Sequence, residues 1–485
     1  MKKKLLPALI VTGLIILVVI IMGITALINK YTPTKKTEDL KEYFNISSDD
    51  EAALIVDNEL SDYKAKIIDK KIYVDYKFVH DSLNSRFYWD ANENVLLYTT
   101  ASDIISAAAD SNSYSVTKQT NDFGYPIVKA TSDSALIALD YVKQYSNITF
   151  KSYDDPARIV ITSKWDEIDS ATVSKSTQIR VKGGIKSPIL KEVKKDDKIT
   201  ILDSGDKWDK VATEDGVIGY IKGKALSESK KTKLTNPDYE EETFTHIKKD
   251  KDICLAWNQV TSQSANSKVP QVISSTKGIN VMSPTWFYLN DNNGNLADIA
   301  SKDYVSYCHS QGIEVWGLFS NFENTDVDAA YVLTHTSTRT TLINQIMSAA
   351  FNYELDGVNI DFENITEAAY GDSYIEFIRE LAIKCHNNGI SLSVDVTVPA
   401  SFNKFFNRSD MANFADYIVI MGYDEHYKGS DAGSVSSIPW VTEGVESTLK
   451  EVPADQIILG MPFYTRIWEL TPKEDDDAVT DTEDQ

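Results

Sequence analysis

The chain has 485 residues, 42% of them hydrophobic, enough for several separate cores. With 72 acidic against 49 basic side chains its formal net charge is -23, which argues against nucleic acid and anionic lipid surfaces as partners. Three cysteines, an odd number, argue for buried thiols over a disulfide framework, and the six histidines lack ligand spacing, so neither a metal nor another cofactor is expected.

Leu5 to Ile28 carries no charge. As a helix it would measure about 36 Å, against a bilayer hydrocarbon core of about 30 Å. No small-residue cleavage site follows, so residues 1–36 are expected to be a cytoplasmic tip and an uncleaved transmembrane signal anchor. Lys2, Lys3 and Lys4 are answered by Lys30, Lys35 and Lys36, so flanking charge does not orient the helix. The wall-directed modules described below favour a single-pass protein of the cell membrane, with a cytoplasmic N-terminus and the rest facing outward.

Residues 37–166 contain a weak internal repeat. Phe78-Val79, Phe87, Trp89-Asp90 and Val95-Leu-Leu97 are echoed by Tyr141-Val142, Phe150, Tyr153-Asp154 and Ile159-Val-Ile161. Both copies read helix, strand, turn, strand. Lys70 to Val79 and Tyr88 to Asn92 resemble the copper amine oxidase N-terminal-like domain, and the segment is expected to be an α+β spacer. Residues 170–228 show five short β runs between Gln178 and Ile221, with turn signals at Asp203-Ser-Gly205 and Glu214-Asp-Gly216. They are similar to a bacterial Src-homology-3-like domain, a small all-β barrel. That resemblance implies contact of Trp208 and Tyr220 with cell-wall peptide, while packing of a small core explains both rings equally well. Residues 229–251 read as a polar linker.

The most informative segment is Leu355-Asp-Gly-Val-Asn-Ile-Asp-Phe-Glu-Asn364. As a strand it would send Asn359, Asp361 and Glu363 to one face and Val358, Ile360 and Phe362 to the other. Carboxylates crowded on one face disturb one another's pKa and are costly to bury, so the pattern points to an active-site strand rather than an ordinary core. Around it lie further apolar runs, at Asp252–Trp257, Gly278–Trp286, Gly312–Phe319, Ile390–Val396, Tyr417–Asp424 and Gln456–Phe463. Helical stretches separate them; in one, Ile375, Ile378 and Ala382 recur at spacings of three and four. Alternating strands and helices predict a (β/α)8 barrel of TIM type over residues 252–485, with chemistry where the strands end. The fold class is thus multidomain: transmembrane helix, α+β spacer, all-β barrel and C-terminal α/β barrel.

Asp356 to Glu363 closely resembles the DGxDxDxE signature of glycoside hydrolase family 18. Met421-Gly-Tyr-Asp424 and Gly460-Met-Pro-Phe-Tyr464 resemble two further signatures of that family. Leu255-Ala-Trp257 and Ser283-Pro-Thr-Trp286 are most like its peptidoglycan-cleaving, spore-wall branch. The resemblance implies Glu363 as general acid, Asp361 as the group that holds the substrate's 2-acetamido group, Tyr423 on the acetamido oxygen, and Asp356 bracing the acidic cluster. Asn359, Asp424, Trp257, Trp286 and Tyr464 are implied substrate contacts. The nucleophile would be the substrate's own acetamido oxygen. Spacing alone does not choose this route, because attachment points about 6 to 7 Å apart fit more than one carboxylate geometry. Position 359 departs from the family pattern: an amide there can hydrogen-bond Asp361 but cannot exchange a proton with it.

After Arg466-Ile-Trp468 the sequence turns acidic, and no eighth strand or sugar-stacking tryptophan is identifiable. A chain fragment is therefore expected over a working open barrel. The expected activity is hydrolysis of β-1,4 bonds beside N-acetylglucosamine in peptidoglycan, or in chitin. The rivals are an inactive carbohydrate-binding protein on the same barrel and a structural or sensory envelope protein; the retained Glu363 speaks against both.

Overall fold

The computed structural model describes residues 2–363, 365 and 370–469. The chain divides into two compact units, Met1–Ser85 with Pro126–Glu241, and Arg86–Tyr125 with Glu242–Gln485.

The first unit begins with the helix Lys2–Tyr31, in which Leu9–Tyr31, 23 residues of mean hydropathy 2.9, is long and apolar enough to cross a membrane. Two seven-stranded sheets follow. In one, Glu51–Val56 pairs antiparallel with Glu59–Ile68 and parallel with Ala157–Thr162. The other is antiparallel throughout; it contains the five strands expected between Gln178 and Ile221 and adds Glu167–Thr172 and Lys230–Lys233. Phe44, Ala53 and Ile55 from the first sheet's side pack with Ile179, Val211 and Ile221 of the second. The boundary expected at 166–170 therefore runs through a shared hydrophobic core. The approach is close: Gly216 has φ +82°, and a Cβ there would lie 2.8 Å from Cγ2 of Val160, so the turn requires glycine. Trp208 and Tyr220 are both partly buried and flank Gly183, whose added Cβ would meet them at 3.1 and 3.6 Å.

The internal repeat exists as local structure. Tyr76–Ser82, Phe87–Asp90 and Val95–Thr99, like Leu139–Tyr145, Thr149–Asp154 and Ala157–Thr162, run helix, strand, strand. The two hairpins have different partners. The later one joins the first unit's sheet, whereas Phe87–Asp90 and Val95–Thr99 continue through Ile104–Ala108, Ser113–Val116 and Gln119–Asp122 as an antiparallel meander of the second unit. Residues 86–125 thus interrupt the spacer expected over 37–166.

In the second unit seven strands lie side by side in chain order: Leu255–Asn258 (β1), Val281–Leu289 (β2), Glu314–Ser320 (β3), Gly357–Asp361 (β4), Ser391–Thr397 (β5), Tyr417–Met421 (β6) and Ile457–Gly460 (β7). Each is parallel to the next. Lys302–Ser310 (α1), Thr336–Tyr353 (α2), Gly371–His386 (α3), Arg408–Phe414 (α4) and Ile438–Thr448 (α5) fall between them in sequence. Among the described residues the array ends on β1 and β7. The eighth strand and the acidic tail are questions that fall outside the described residues. Trp257 of β1 reaches β7, where a Cβ on Gly460 would lie 2.8 Å from its Cη2.

The strand alternation sorts side chains as period two requires. Val358, Ile360 and Phe362 join the large core between strands and helices, with the Phe362 ring stacked on Phe377 at 5.5 Å. On the inner face Trp316 of β3 stacks on Tyr417 of β6 at 5.6 Å and, with Val281, makes an apolar floor. Gly357 is obligatory there, since a Cβ would lie 2.6 Å from the Trp316 indole. Of the cysteines, Cys308 and Cys385 are buried thiols as expected, but Cys254 is exposed.

The helix α3 carries Glu376, Arg379 and Glu380 at 0%, 3% and 4% exposure, where an outer barrel helix would ordinarily meet water. The meander covers them. Thr99 Oγ1 donates to Glu376 at 2.7 Å, Tyr88 and Ser373 hydroxyls lie 2.9 Å apart, and Arg339 of α2 pairs with Glu380 at 2.9 Å. Arg379 pairs with Glu376 at 3.0 Å and also with Asp410. Asp90 of the meander accepts from the Thr336 amide at 2.7 Å, capping an α2 N-terminus that its own residue His335 leaves without a side-chain cap. Removing one member of a buried ion pair strands the other charge. Arg339→Ala should therefore cost about 3–5 kcal/mol in denaturant unfolding, and Arg339→Leu with Glu380→Leu should recover most of it. A loss below about 1 kcal/mol for the single change, the range of an exposed pair, would show that the ion pair is not buried.

Candidate active site

The inner face of β4 rises from the apolar floor to a polar layer and then to an acid layer. Asn359 is fully buried, and both polar atoms of its amide are engaged. Its carbonyl oxygen accepts from Trp257 Nε1 and Ser283 Oγ, both at 3.0 Å, and its nitrogen donates to Asp395 Oδ1 at 2.8 Å. The expected bond from this amide to Asp361 is replaced by one to Asp395 on the neighbouring strand.

One turn of the pleat higher, Asp361 has a buried Oδ1 with no hydrogen-bond partner among the described residues. Its carboxyl is pushed up to about 8, first by burial and then by the charges of Glu363 and Glu323. Asp395 is likewise raised, first by burial and then by Asp361. Two such groups cannot both be anionic without a large cost, so the pair holds a proton at neutral pH. Glu363 follows at the open end. Its backbone N–H donates to Asn321 Oδ1 at 3.0 Å, and its carboxyl is raised by burial, then by Asp424 and Glu323.

From the other side of the cup, Tyr423 sits edge-on to Trp257 and Tyr464, each at 6.2 Å. Burial, and then the nearby carboxylates, hold its phenol above the ordinary value, so it is a neutral hydroxyl donor. Asp424, at φ 64°, accepts from the Tyr464 hydroxyl at 2.7 Å and pairs with Arg466. A cavity of about 210 Å³ opens beside Glu363 and Asp395, walled by Ile365, Phe402, Phe405 and Met421. A larger cavity of about 540 Å³ belongs to the first unit, where hydroxyl side chains such as Thr149, Thr200 and Thr232 line it. Its Glu214 is paired with Lys151, whereas the raised carboxyls of Glu363 and Asp395 border the smaller one.

Glu363, Asp361, Asn359, Tyr423, Asp424, Trp257 and Tyr464 are thus gathered at one end of the array. Asp356 and Trp286 are not. Asp356 precedes β4, about 16 Å along the strand from Asp361, and accepts from Val315 N and His309 Nε2 at 2.8 Å each. It shares parity with Val358 and Ile360, so it ties β4 to β3 and α1 rather than bracing the acids. Trp286 shares parity with Met282; it is fully buried in the outer core against Tyr304, and its indole N–H donates to Asn266 at 2.8 Å. Residues not expected from the sequence are Asp395, Glu323, Ser283 and Asn321. Asp395 was legible in principle, because Ser391, Ser393, Asp395 and Thr397 repeat on β5 the polar alternation of β4. Glu323 stands in Phe322-Glu-Asn324, the same triplet that follows Asp361, and accepts from Ser320 Oγ at 2.6 Å.

Residues 316–485 match the sequence profile of Glycosyl hydrolases family 18. The chain is 25% identical to the Uncharacterized glycosylase YvbX of Bacillus subtilis, over 37% of this chain and 55% of that protein. It is 26% identical to a Cortical fragment-lytic enzyme of Bacillus subtilis, over 37% of this chain and 43% of that protein. The solved spore cortex-lytic enzyme SleL of Bacillus megaterium aligns at 20% identity with a TM-score of 0.38, covering 43% of this chain and 49% of that one. The chain therefore spans only about half the length of the curated relatives it matches. With the strand Gly357–Asp361 inside the matched region, the chain carries a glycoside hydrolase family 18 domain over residues 316–485.

Proposed function

We propose that this chain is a membrane-anchored glycosidase, cleaving β-1,4 bonds next to N-acetylglucosamine in peptidoglycan by a substrate-assisted, retaining mechanism. One observation carries this reading: a buried acceptor on Asp361, the last residue of β4, has no partner among the described residues and stands two positions before Glu363, whose carboxyl is biased toward keeping its proton. An acetamido N–H is the donor that Asp361 Oδ1 lacks. With that N–H held, and the Tyr423 hydroxyl donating to the acetamido oxygen, the oxygen attacks the anomeric carbon while Glu363 delivers its proton to the departing glycosidic oxygen. The C–O bond to the aglycone breaks, an oxazolinium ion forms with its N–H still held by Asp361, and the Glu363 carboxylate then takes a proton from the water that opens it. Two inversions leave the anomeric configuration unchanged. Asp424, Tyr464 and Trp257 are the sugar contacts in this reading, and Asn359 acts from beneath, through Trp257 and Asp395.

Peptidoglycan is preferred to chitin because a relative named for cortical fragment lysis matches 37% of this chain. The apolar helix suits a protein held at the cell surface, with its N-terminus in the cytoplasm. In this reading the antiparallel sheet of the first unit is a Src-homology-3-like module for wall peptide, with Trp208 and Tyr220 beside Gly183 as its contact, and the preceding α+β segment is the amine-oxidase-like spacer.

Incubation of the full chain in detergent with purified peptidoglycan and with chitin oligomers should release new reducing ends at N-acetylglucosamine, and Glu363→Gln should reduce the rate by at least about 100-fold. Equal product from both proteins would reject the assigned acid. The pH dependence has a definite sign. Negative charge at Asp424 favours the protonated form of Glu363, so Asp424→Asn should lower the Glu363 pKa and move the alkaline limb of the kcat profile to lower pH. An alkaline limb that stays in place or moves upward would show that Asp424 does not act on the acid.

A further inference from the structure

We propose that Asp395 is a positioning residue that shares a proton with Asp361, the task that the amide at 359 cannot perform. The inference rests on the glycosidase reading above and concerns the same site. Its basis is register. Asn359 pairs with Ser393 and Ile360 with Val394, so the next step along both parallel strands brings Asp361 level with Asp395. Neighbouring strands run about 4.8 Å apart and like-facing side chains project together. Asp395 is 3% exposed and held from below by the Asn359 amide, so its carboxyl group cannot turn to water. Asp361 has a buried oxygen with nothing to accept from among the described residues. A carboxylic acid proton on one of the two groups satisfies both.

The surroundings reinforce the sharing. Facing the pair are Glu363 and Asn359 from β4, Glu323 from the loop after β3, Trp257 from β1, Tyr423 from the end of β6 and Tyr374 from α3. Arg466 is engaged by Asp424, farther out. Among the described residues the other charges near the pair are negative, so a proton is what offsets the pair's own charge. With that proton on Asp395, Asp361 is the anion that accepts the acetamido N–H. When Glu363 has given its proton to the leaving oxygen, transfer of the shared proton to Asp361 removes the like charge beside the new Glu363 carboxylate. Only O–H bonds change, and the pair's charge stays at minus one throughout.

Asp395→Asn is nearly isosteric, and its amide oxygen can still accept from the Asn359 amide, so the fold and that hydrogen bond survive while the proton site is lost. The expected result for the full chain is a fall in kcat of at least about 100-fold with little change in KM. The exchange variant Asn359→Asp with Asp395→Asn returns a carboxyl group to the same network and should recover most of that loss. An Asp395→Asn protein with the parent's kcat and pH profile would overturn the proposal, as would an exchange variant no better than Asp395→Asn alone. A second readout needs no turnover: carboxyl carbon NMR of the aspartates. Replacing Asp361 by Asn should lower the pH at which Asp395 titrates. An unchanged Asp395 titration overturns proton sharing even if the parent cleaves sugar, and a lowered one sustains it even if the parent proves inactive.

Discussion

Carboxyl groups forced together out of water cannot all be charged, and the open end of the parallel array is built around that constraint. Asp361 and Asp395 project from adjacent strands above a layer in which every polar atom of Asn359 is already engaged. Glu363 and Glu323 stand above them on loops that leave β4 and β3. The result is a site in which the carboxyl groups of Asp361, Asp395 and Glu363 are all biased by burial and by neighbouring acids toward keeping their protons. In the proposed mechanism a glycosidic bond is broken by a proton donor that has not yet been titrated away, and there the crowding that costs stability would supply the reagent.

The scaffold underneath is correspondingly rigid. Trp316, Tyr417 and Val281 fill the inner floor, and the absence of a side chain at Gly357 lets the indole cross beneath the acids. On the outside, a meander drawn from far upstream in the chain holds α3 through Thr99 and Tyr88 and caps α2 through Asp90. Glu376, Arg379 and Glu380 therefore serve as an internal ionic lattice instead of a solvated face.

Much of this was legible in the sequence. Period-two alternation in Val358 to Glu363 sorted the acids from the core, and the three-and-four spacing of Ile375, Ile378 and Ala382 marked α3. What escaped detection did so for physical reasons. Motif position does not say which way a side chain points: Asp356 and Trp286 lie within recognisable patterns, but parity sends both away from the acid cluster. Partner choice is also nonlocal. The two repeat copies have the same local pattern, yet one hairpin belongs to the first unit and the other to the second. The shared core of Phe44, Ile55 and Val211 likewise runs across a boundary that the repeat and the β spacing suggested.

The central claim is that the substrate's own amide, held by Asp361, closes on the anomeric carbon as Glu363 protonates the bond. Proton NMR of the first product released from a β-linked N-acetylglucosamine oligomer tests it most directly, before mutarotation scrambles the signal. The account predicts that the new reducing end appears first as the β anomer. Initial appearance of the α anomer would mean that water attacks directly, and would contradict it.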